Sequence, residues 1–276
     1  MKMNLKESQE VALKLFGNTI ATSDLKSVDE ITEQAVKQYK QQGYLIVENF
    51  LTEKEIQDGL DGIMDIIYKK IKGPQIQYYI PENQICNEEN PEFAVRKLSR
   101  FIDYCEPLRK IAESKKLRGV VELLLGEEAL LTDPIALLKP PKYGLEKPWH
   151  QDMAYGVTAF NKPLLGAWIA LDEAGLDNGC MHIIPGSHMD GGVPHYTIRD
   201  WQVCDDNVQV EKSIAVPLKP GSIILFHGLL LHATPPNISN KRRRSMQLHF
   251  VSKSAAKLSR EEYSRMFTNE LSGAEC

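Results

Sequence analysis

The stretch Pro148-Trp149-His150-Gln151-Asp152 decides how the rest of the chain is read. His-x-Asp sets an imidazole and a carboxylate two residues apart. On a β-strand, positions i and i+2 point the same way, so both heads reach one point in space. Two ligands of one metal ion need that arrangement. A third ligand is required, and His232 is the best candidate, because it follows the apolar run Ile223-Ile224-Leu225-Phe226, a buried strand by its pattern. Two histidines and one carboxylate with open positions form the donor set of non-heme Fe(II) oxygenases. The tripeptide is short and recurs by chance, and a surface or hydrogen-bonded pair is the competing reading, so the weight falls on what surrounds it.

Size and composition narrow the field. The chain has 276 residues, 42% hydrophobic and 25% charged, which are globular values. The net charge of -4 gives no sign of a nucleic-acid partner, since such domains are clearly basic. Lys241-Arg242-Arg243-Arg244 is the one basic cluster. No apolar run approaches the roughly 18 residues of a membrane span. The opening Met1-Lys2-Met3-Asn4-Leu5-Lys6-Glu7 is charged where a signal peptide is apolar. Five cysteines (Cys86, Cys105, Cys180, Cys204 and Cys276) are odd in number and scattered, with no Cys-x-x-Cys. They suggest neither a zinc site nor a disulfide framework, so reduced thiols in a cytoplasmic protein are expected.

Outward from His150, helices come first and strands second. Residues 1 to about 26 carry little pattern and read as a loosely held helix or arm. Ser27-Val28-Asp29-Glu30 is a capping box opening a helix through Tyr39, and Gly43 ends it. Tyr44-Leu45-Ile46-Val47 is a strand. Thr52-Glu53-Lys54-Glu55 caps a helix with Ile56, Leu60, Ile63, Ile66 and Ile67 at helical spacing, to about Ile71. Residues 72–93 form a loop placed to overlie a site, and helices follow at about 94–105 and 106–125. From Leu130 short strands dominate: 130–139, the His150 strand, 164–171, 180–184, 213–217, 223–226 and 244–251. A polar connection spans 189–212, and Ser259-Arg260-Glu261-Glu262 caps a last short helix. The chain therefore reads as one α+β domain over 1–276. Residues 1–128 are helix-rich, about 129–252 form a jelly-roll core, and 259–270 form a C-terminal helix. The mouth of a jelly roll is a natural place for a metal and a small ligand.

Several motifs then fall into one order. Pro148-Trp149-His150-Gln151-Asp152 is followed by Asn178-Gly179-Cys180 and Ile184-Pro185-Gly186-Ser187-His188. Gly221-Ser222, Phe226-His227-Gly228 and His232 come next, then Asn237, Ser239 and Arg243. Together these resemble the phytanoyl-CoA dioxygenase superfamily, iron- and 2-oxoglutarate-dependent oxygenases on a double-stranded β-helix, a cupin-like jelly roll. The motifs cover about residues 40–252, and their joint spacing is far more specific than any one of them. The resemblance implies that His150, Asp152 and His232 are the iron ligands and catalytic centre. It implies that Arg243, eleven residues after His232, pairs with the distal carboxylate of 2-oxoglutarate. A planar guanidinium binding a carboxylate bidentately agrees. Lys139, eleven residues before His150, is a second candidate for the cosubstrate. Halogenating relatives carry a small residue in place of the carboxylate, so Asp152 favours hydroxylation or another oxidation. The implied cofactors are Fe(II), 2-oxoglutarate and O2, with succinate and CO2 released and a small-molecule metabolite as substrate. The alternatives are a non-catalytic metal- or ligand-binding jelly roll and a cupin-like metalloenzyme without 2-oxoglutarate, which Arg243 argues against.

The remaining candidates divide between chemistry and packing. His227 stands at odd spacing from His232 and reads as packing, His188 as a loop anchor and His182 as structural. His249 alternates with Gln247, and lining the barrel beside the cosubstrate or sitting as a satisfied buried histidine both stay open. Arg242 and Arg244 read as a solvated basic run. Trp149 packs away from the metal, and Trp168 belongs to the core. Tyr155, Trp201 and His195 are candidates for substrate contact, as are Tyr78 and Tyr79. Tyrosines with acidic groups in the loops point to a polar or cationic substrate.

Overall fold

The structure is a computed structural model and describes residues 14–23, 25–79, 90–141, 144–271, 273 and 275–276. In chain order its elements begin with β1 (Thr19–Ile20), α1 (Glu33–Gln42), β2 (Tyr44–Val47), α2 (Glu53–Ile67) and β3 (Gln75–Tyr78). Next come β4 (Val95–Ser99), α3 (Glu106–Ala112), α4 (Lys115–Leu125), β5 (Ala129–Lys139) and β6 (Lys147–His150). They continue with β7 (Leu164–Ala170), β8 (Met181–Ile183), β9 (His195–Thr197), β10 (Trp201–Val203) and β11 (Ile214–Val216). The last are β12 (Ile223–His227), β13 (His232–Thr234), β14 (Arg243–Ser252) and α5 (Arg260–Phe267).

Two sheets make the jelly roll. The larger runs β2-β12-β7-β14-β5-β4-β3 and the smaller β1-β11-β8-β13-β6, while β9 and β10 pair as a separate hairpin. Trp168, Ile224 and Phe226 of the larger sheet pack with Met181, Ile183 and Val216 of the smaller in one cluster. On its other face the larger sheet carries Leu165, Ala167, Ile169, Met246 and Leu248, which pack with residues of α1, α2, α3 and α4. β7 is thus buried on both faces, and its sequence runs apolar throughout instead of alternating.

The capping boxes at Thr52 and Ser259 form as read, each closing α2 and α5 at the N-terminus. The one at Ser27 does not start a long helix. It caps the 3-10 turn Val28–Glu30, Ile31 is extended at φ -73° and ψ 102°, and Thr32 caps α1. Gly43 ends α1 at φ 82°, and a Cβ there would lie 2.5 Å from His188 Nδ1. The helix expected at 94–105 is a strand instead. β4 pairs along the edge of β5, with Leu98 opposite Ala136, and β3 pairs with β4 in turn. An available sheet edge overrides the weak local preference. Residues 80–89 of the expected loop lie outside the described residues.

From Leu15 on, the N-terminal segment is held, and residues 1–13 lie outside the described residues. Trp149 Nε1 donates to the Leu15 carbonyl at 2.9 Å, Phe16 stacks on Trp149, and β1 pairs with β11 in parallel. The thiol expectation is corrected too. Cys204 and Cys276 are joined by a disulfide across 72 residues. The segment after α5 folds back on the hairpin, and no local motif announces such a pairing. With this disulfide the cysteines no longer support a cytoplasmic location. Among the described residues Cys105 and Cys180 are free and buried. Cys86 lies outside the described residues. Among the described residues no helix is long and apolar enough to cross a membrane.

Candidate metal centre

His150 and His232 are directly opposite one another on the neighbouring strands β6 and β13. Their ring centroids lie 4.2 Å apart. β6 ends at His150, Gln151 stays extended at φ -113° and ψ 133°, and Asp152 opens a short 3-10 turn. The i, i+2 relation therefore holds although Asp152 itself is past the strand. Asp152 Oδ1 lies 3.5 Å from Nε2 of each histidine. The three donor atoms fall within 4.8 Å of one another, and all three residues are buried.

The donor atoms are in the right chemical form. His150 Nδ1 faces the Pro148 carbonyl at 2.8 Å, and His232 Nδ1 faces the Leu230 carbonyl at 2.9 Å. A carbonyl only accepts, so each Nδ1 carries the proton and each Nε2 presents a lone pair toward the shared point. Burial, with His232 beside it, pushes His150 down to about 3, which keeps it neutral. Burial alone raises the Asp152 carboxyl, but His232 and His249 outweigh it and hold it well below the usual range. Two imidazoles that turn Nε2 toward the shared point and one carboxylate fit a divalent transition metal with positions left open.

One cavity joins this triad to Arg243, Lys139 and Tyr155. Arg243 is directly opposite Lys139 across β14 and β5. Its guanidinium lies over the Trp168 ring, 5.3 Å from the centroid, and Nη1 donates to Ser245 Oγ at 2.8 Å. Its Nε is buried with no partner among the described residues. Burial lowers Arg243 to about 10, so it stays cationic at neutral pH. A buried guanidinium with an unspent donor on a cavity wall is a cradle for an anion. Lys139 is placed differently: its Nζ donates to the carbonyls of Thr234, at 3.0 Å, and Pro235. Burial, reinforced by Arg243, drives Lys139 well below its ordinary value. Of the two cations, Arg243 is the one with capacity left for a ligand.

Tyr155 lines the cavity, with its ring edge-on to His150 at 5.8 Å. His195 and Trp201, expected at the substrate, do not line it and stand behind its wall. His195 Nε2 accepts from the Gln151 backbone N–H at 3.0 Å, which ties the segment between His150 and Asp152 to the hairpin. Trp201 Nε1 donates to the Ala154 carbonyl at 2.8 Å. Tyr79 does reach the cavity, and its hydroxyl donates to the Leu138 carbonyl. His227 Nδ1 accepts from the Leu229 N–H, as suits packing, and His188 Nε2 faces the Lys40 carbonyl at the end of α1. Arg244 is not solvated as expected but forms a two-pronged pair with Asp172. At the mouth, Asp200 lies in the 189–212 connection whose acidic, basic and aromatic groups suit substrate contact or an ordinary surface loop, and no local pattern links it to its two cations. Asp200 Oδ2 accepts from Arg96 at 2.8 Å and from Lys147 at 2.7 Å, and Lys147 lies 5.0 Å over the Tyr155 ring.

A profile of the phytanoyl-CoA dioxygenase (PhyH) family matches residues 39–245. A phytanoyl-CoA dioxygenase of Arabidopsis thaliana is 25% identical over 265 residues, covering 84% of this chain and 93% of that protein. A phytanoyl-CoA dioxygenase domain-containing protein 1 of Bos taurus is 26% identical, covering 73% of each. Among solved structures, the non-heme alpha ketoglutarate dependent carbocyclase SnoK superposes with a TM-score of 0.66 at 21% identity, over 85% of this chain and 89% of its own. EvdO2 of Micromonospora carbonacea, complexed with 2-oxoglutarate, does so with a TM-score of 0.63 at 24% identity, over 88% and 96%. The structural likenesses establish the jelly-roll fold, and the profile, which spans most of the domain, establishes the kinship. This chain belongs to the phytanoyl-CoA dioxygenase family of iron- and 2-oxoglutarate-dependent oxygenases.

Proposed function

We propose that the protein hydroxylates an unactivated C–H bond of a small-molecule metabolite, with His150, Asp152 and His232 holding Fe(II) and Arg243 holding 2-oxoglutarate. The observation that carries this is the pairing of a complete, correctly protonated His-Asp-His donor set with a buried guanidinium whose Nε is unspent, on one cavity. The 2-oxoglutarate bound to the relative EvdO2 supports the same reading. Iron with 2-oxoglutarate and O2 supplies the oxidising chemistry.

The chain's own residues bind, orient and shield. Arg243 pairs with the distal carboxylate and so orients the cosubstrate's other end toward the triad. Trp168 under the guanidinium keeps that ion pair out of water, where it is stronger. Lys139 braces the backbone at Thr234, the last residue of β13, and at Pro235 just after it, and its direct role toward the cosubstrate is secondary. Tyr155 forms the substrate side of the wall. His195 and Trp201 position that wall from behind.

The decisive experiment is succinate formation from 2-oxoglutarate with Fe(II), ascorbate and O2, in the absence and presence of a metabolite pool. Iron-dependent succinate that vanishes in Asp152→Ala is expected, and stimulation by one fraction leads to the substrate. Undiminished succinate in Asp152→Ala, or none from the wild type with any fraction, would sink the oxygenase reading in favour of a binding jelly roll.

A further inference from the structure

Asp152 offers two oxygens, and the fold treats them differently. Oδ1 faces Nε2 of His150 and His232 at 3.5 Å from each. Oδ2 is turned away, where Gln247 Nε2 donates to it at 2.9 Å and His249 Nε2 lies 2.9 Å off. Both partners come from β14. That strand pairs with β5 on one side and β7 on the other, so its position is set by the middle of the larger sheet. Alternation puts Arg243, Ser245, Gln247 and His249 on one face, while Met246, Leu248 and Phe250 enter the core on the other. His249 is itself held from across the sheet, with Nδ1 3.2 Å from the carbonyl of Asp133, its pairing partner on β5.

We propose that Gln247 and His249 are positioning residues that keep Asp152 a one-oxygen metal ligand. This rests on the metal reading above. A carboxylate with both oxygens free can swing to grip an ion with both, and the second contact fills a position the ligand set otherwise leaves open. With Oδ2 already engaged twice, only Oδ1 is left to bind. The two contacts also stop rotation of the carboxylate, so it needs no ordering when the ion arrives. The same strand face carries Arg243 four residues earlier, so one rigid row places both the metal ligand and the anion cradle.

The test is titration of metal-free protein with Co(II), followed by visible absorption, which reports affinity and coordination together. His249→Phe and Gln247→Leu each keep the volume roughly and remove a contact to Oδ2. Each is expected to weaken Co(II) binding roughly 10- to 100-fold, the range for outer partners of metal ligands, and to alter the absorption band. His249→Gln returns a donor near Oδ2 and should recover much of the affinity. Far-ultraviolet circular dichroism and the thermal midpoint establish which variants are folded, and Gln247→Leu serves if His249→Phe does not fold. Unchanged Co(II) affinity in the folded variants overturns the positioning role. So does a His249→Gln protein as weak as His249→Phe, because packing alone then explains the loss. A wild-type protein that binds no Co(II) overturns the metal reading instead.

Discussion

The floor of the cavity and its mouth are built in opposite ways. At the floor each group of the candidate site sits on a strand of one of the two sheets: His150 on β6, His232 on β13, Arg243 on β14. These side chains are buried, and backbone carbonyls or neighbouring residues fix each one. At the mouth, three partly exposed charges from three separate segments meet: Arg96 from an added strand, Lys147 from the start of β6, and Asp200 from the turn of the hairpin. Geometry at the floor is inherited from sheet pairing. At the mouth it depends on where a hairpin comes to rest. The cations there outnumber Asp200, which does not fit the cationic substrate that the loop composition pointed to.

The sharpest contrast is the loss of all iron-dependent turnover in Asp152→Ala, with no comparable loss from any single mouth substitution. Next in size is the disulfide behind the hairpin. Cys204→Ser opens a closed loop of 72 residues, and a cross-link of this kind is worth about 2–4 kcal/mol of stability. Urea unfolding should show that drop, while the Fe(II) requirement at low temperature stays as in wild type. If the iron requirement changes, floor and mouth are not independent.

Arg243→Lys comes third. Hydrogen bonds to a charged group contribute about 1.5–3 kcal/mol, so the KM for 2-oxoglutarate should rise about 10- to 100-fold. An unaltered KM would move the cosubstrate off Arg243 and revive the cupin reading.

Acid stability tests the buried histidines. Burial holds His150 at about 3 and His182, His195 and His227 at about 4, below an unfolded value near 6.5. In that window the unfolded chain takes up protons that the fold refuses, so these groups make stability fall as pH drops from about 6.5 toward 4. His182→Gln removes one such group away from the cavity. It should flatten the slope by about one proton, or about 1.4 kcal/mol per pH unit. An unchanged slope means that His182 accepts its proton in the fold.

The smallest effect belongs to the mouth. Asp200→Asn leaves Arg96 and Lys147 without their shared carboxylate, and such partly exposed pairs are worth about 0.2–1 kcal/mol. The urea midpoint should move slightly and the KM for 2-oxoglutarate not at all. Loss of basal succinate formation would place Asp200 with the floor.

How much of this was legible follows the same division. His150 and Asp152 could be singled out because a strand's period of two is a local fact, His232 because it follows a buried-strand pattern, and Arg243 only because the order of motifs resembles the family. His249 could be seen as an inward residue of β14, but its partner could not, since Asp152 is 97 positions away. Arg96 was hidden inside a stretch that reads as a helix and pairs as a strand. His195 looked like a loop residue awaiting substrate and proved to be a backbone anchor for Gln151.

By itself the chain's order of residues determined the capping boxes at Thr52 and Ser259, the buried strand at 223–226 and the shared direction of His150 and Asp152. Those depend on contacts a few residues long, where side-chain direction follows from backbone geometry. The tertiary structure alone decided that β4 joins β5, that Cys204 meets Cys276, that Oδ2 of Asp152 is engaged from β14, and that Asp200 collects two cations. Each of these requires segments from about 30 to more than 100 positions apart to meet, and no local pattern carries that information.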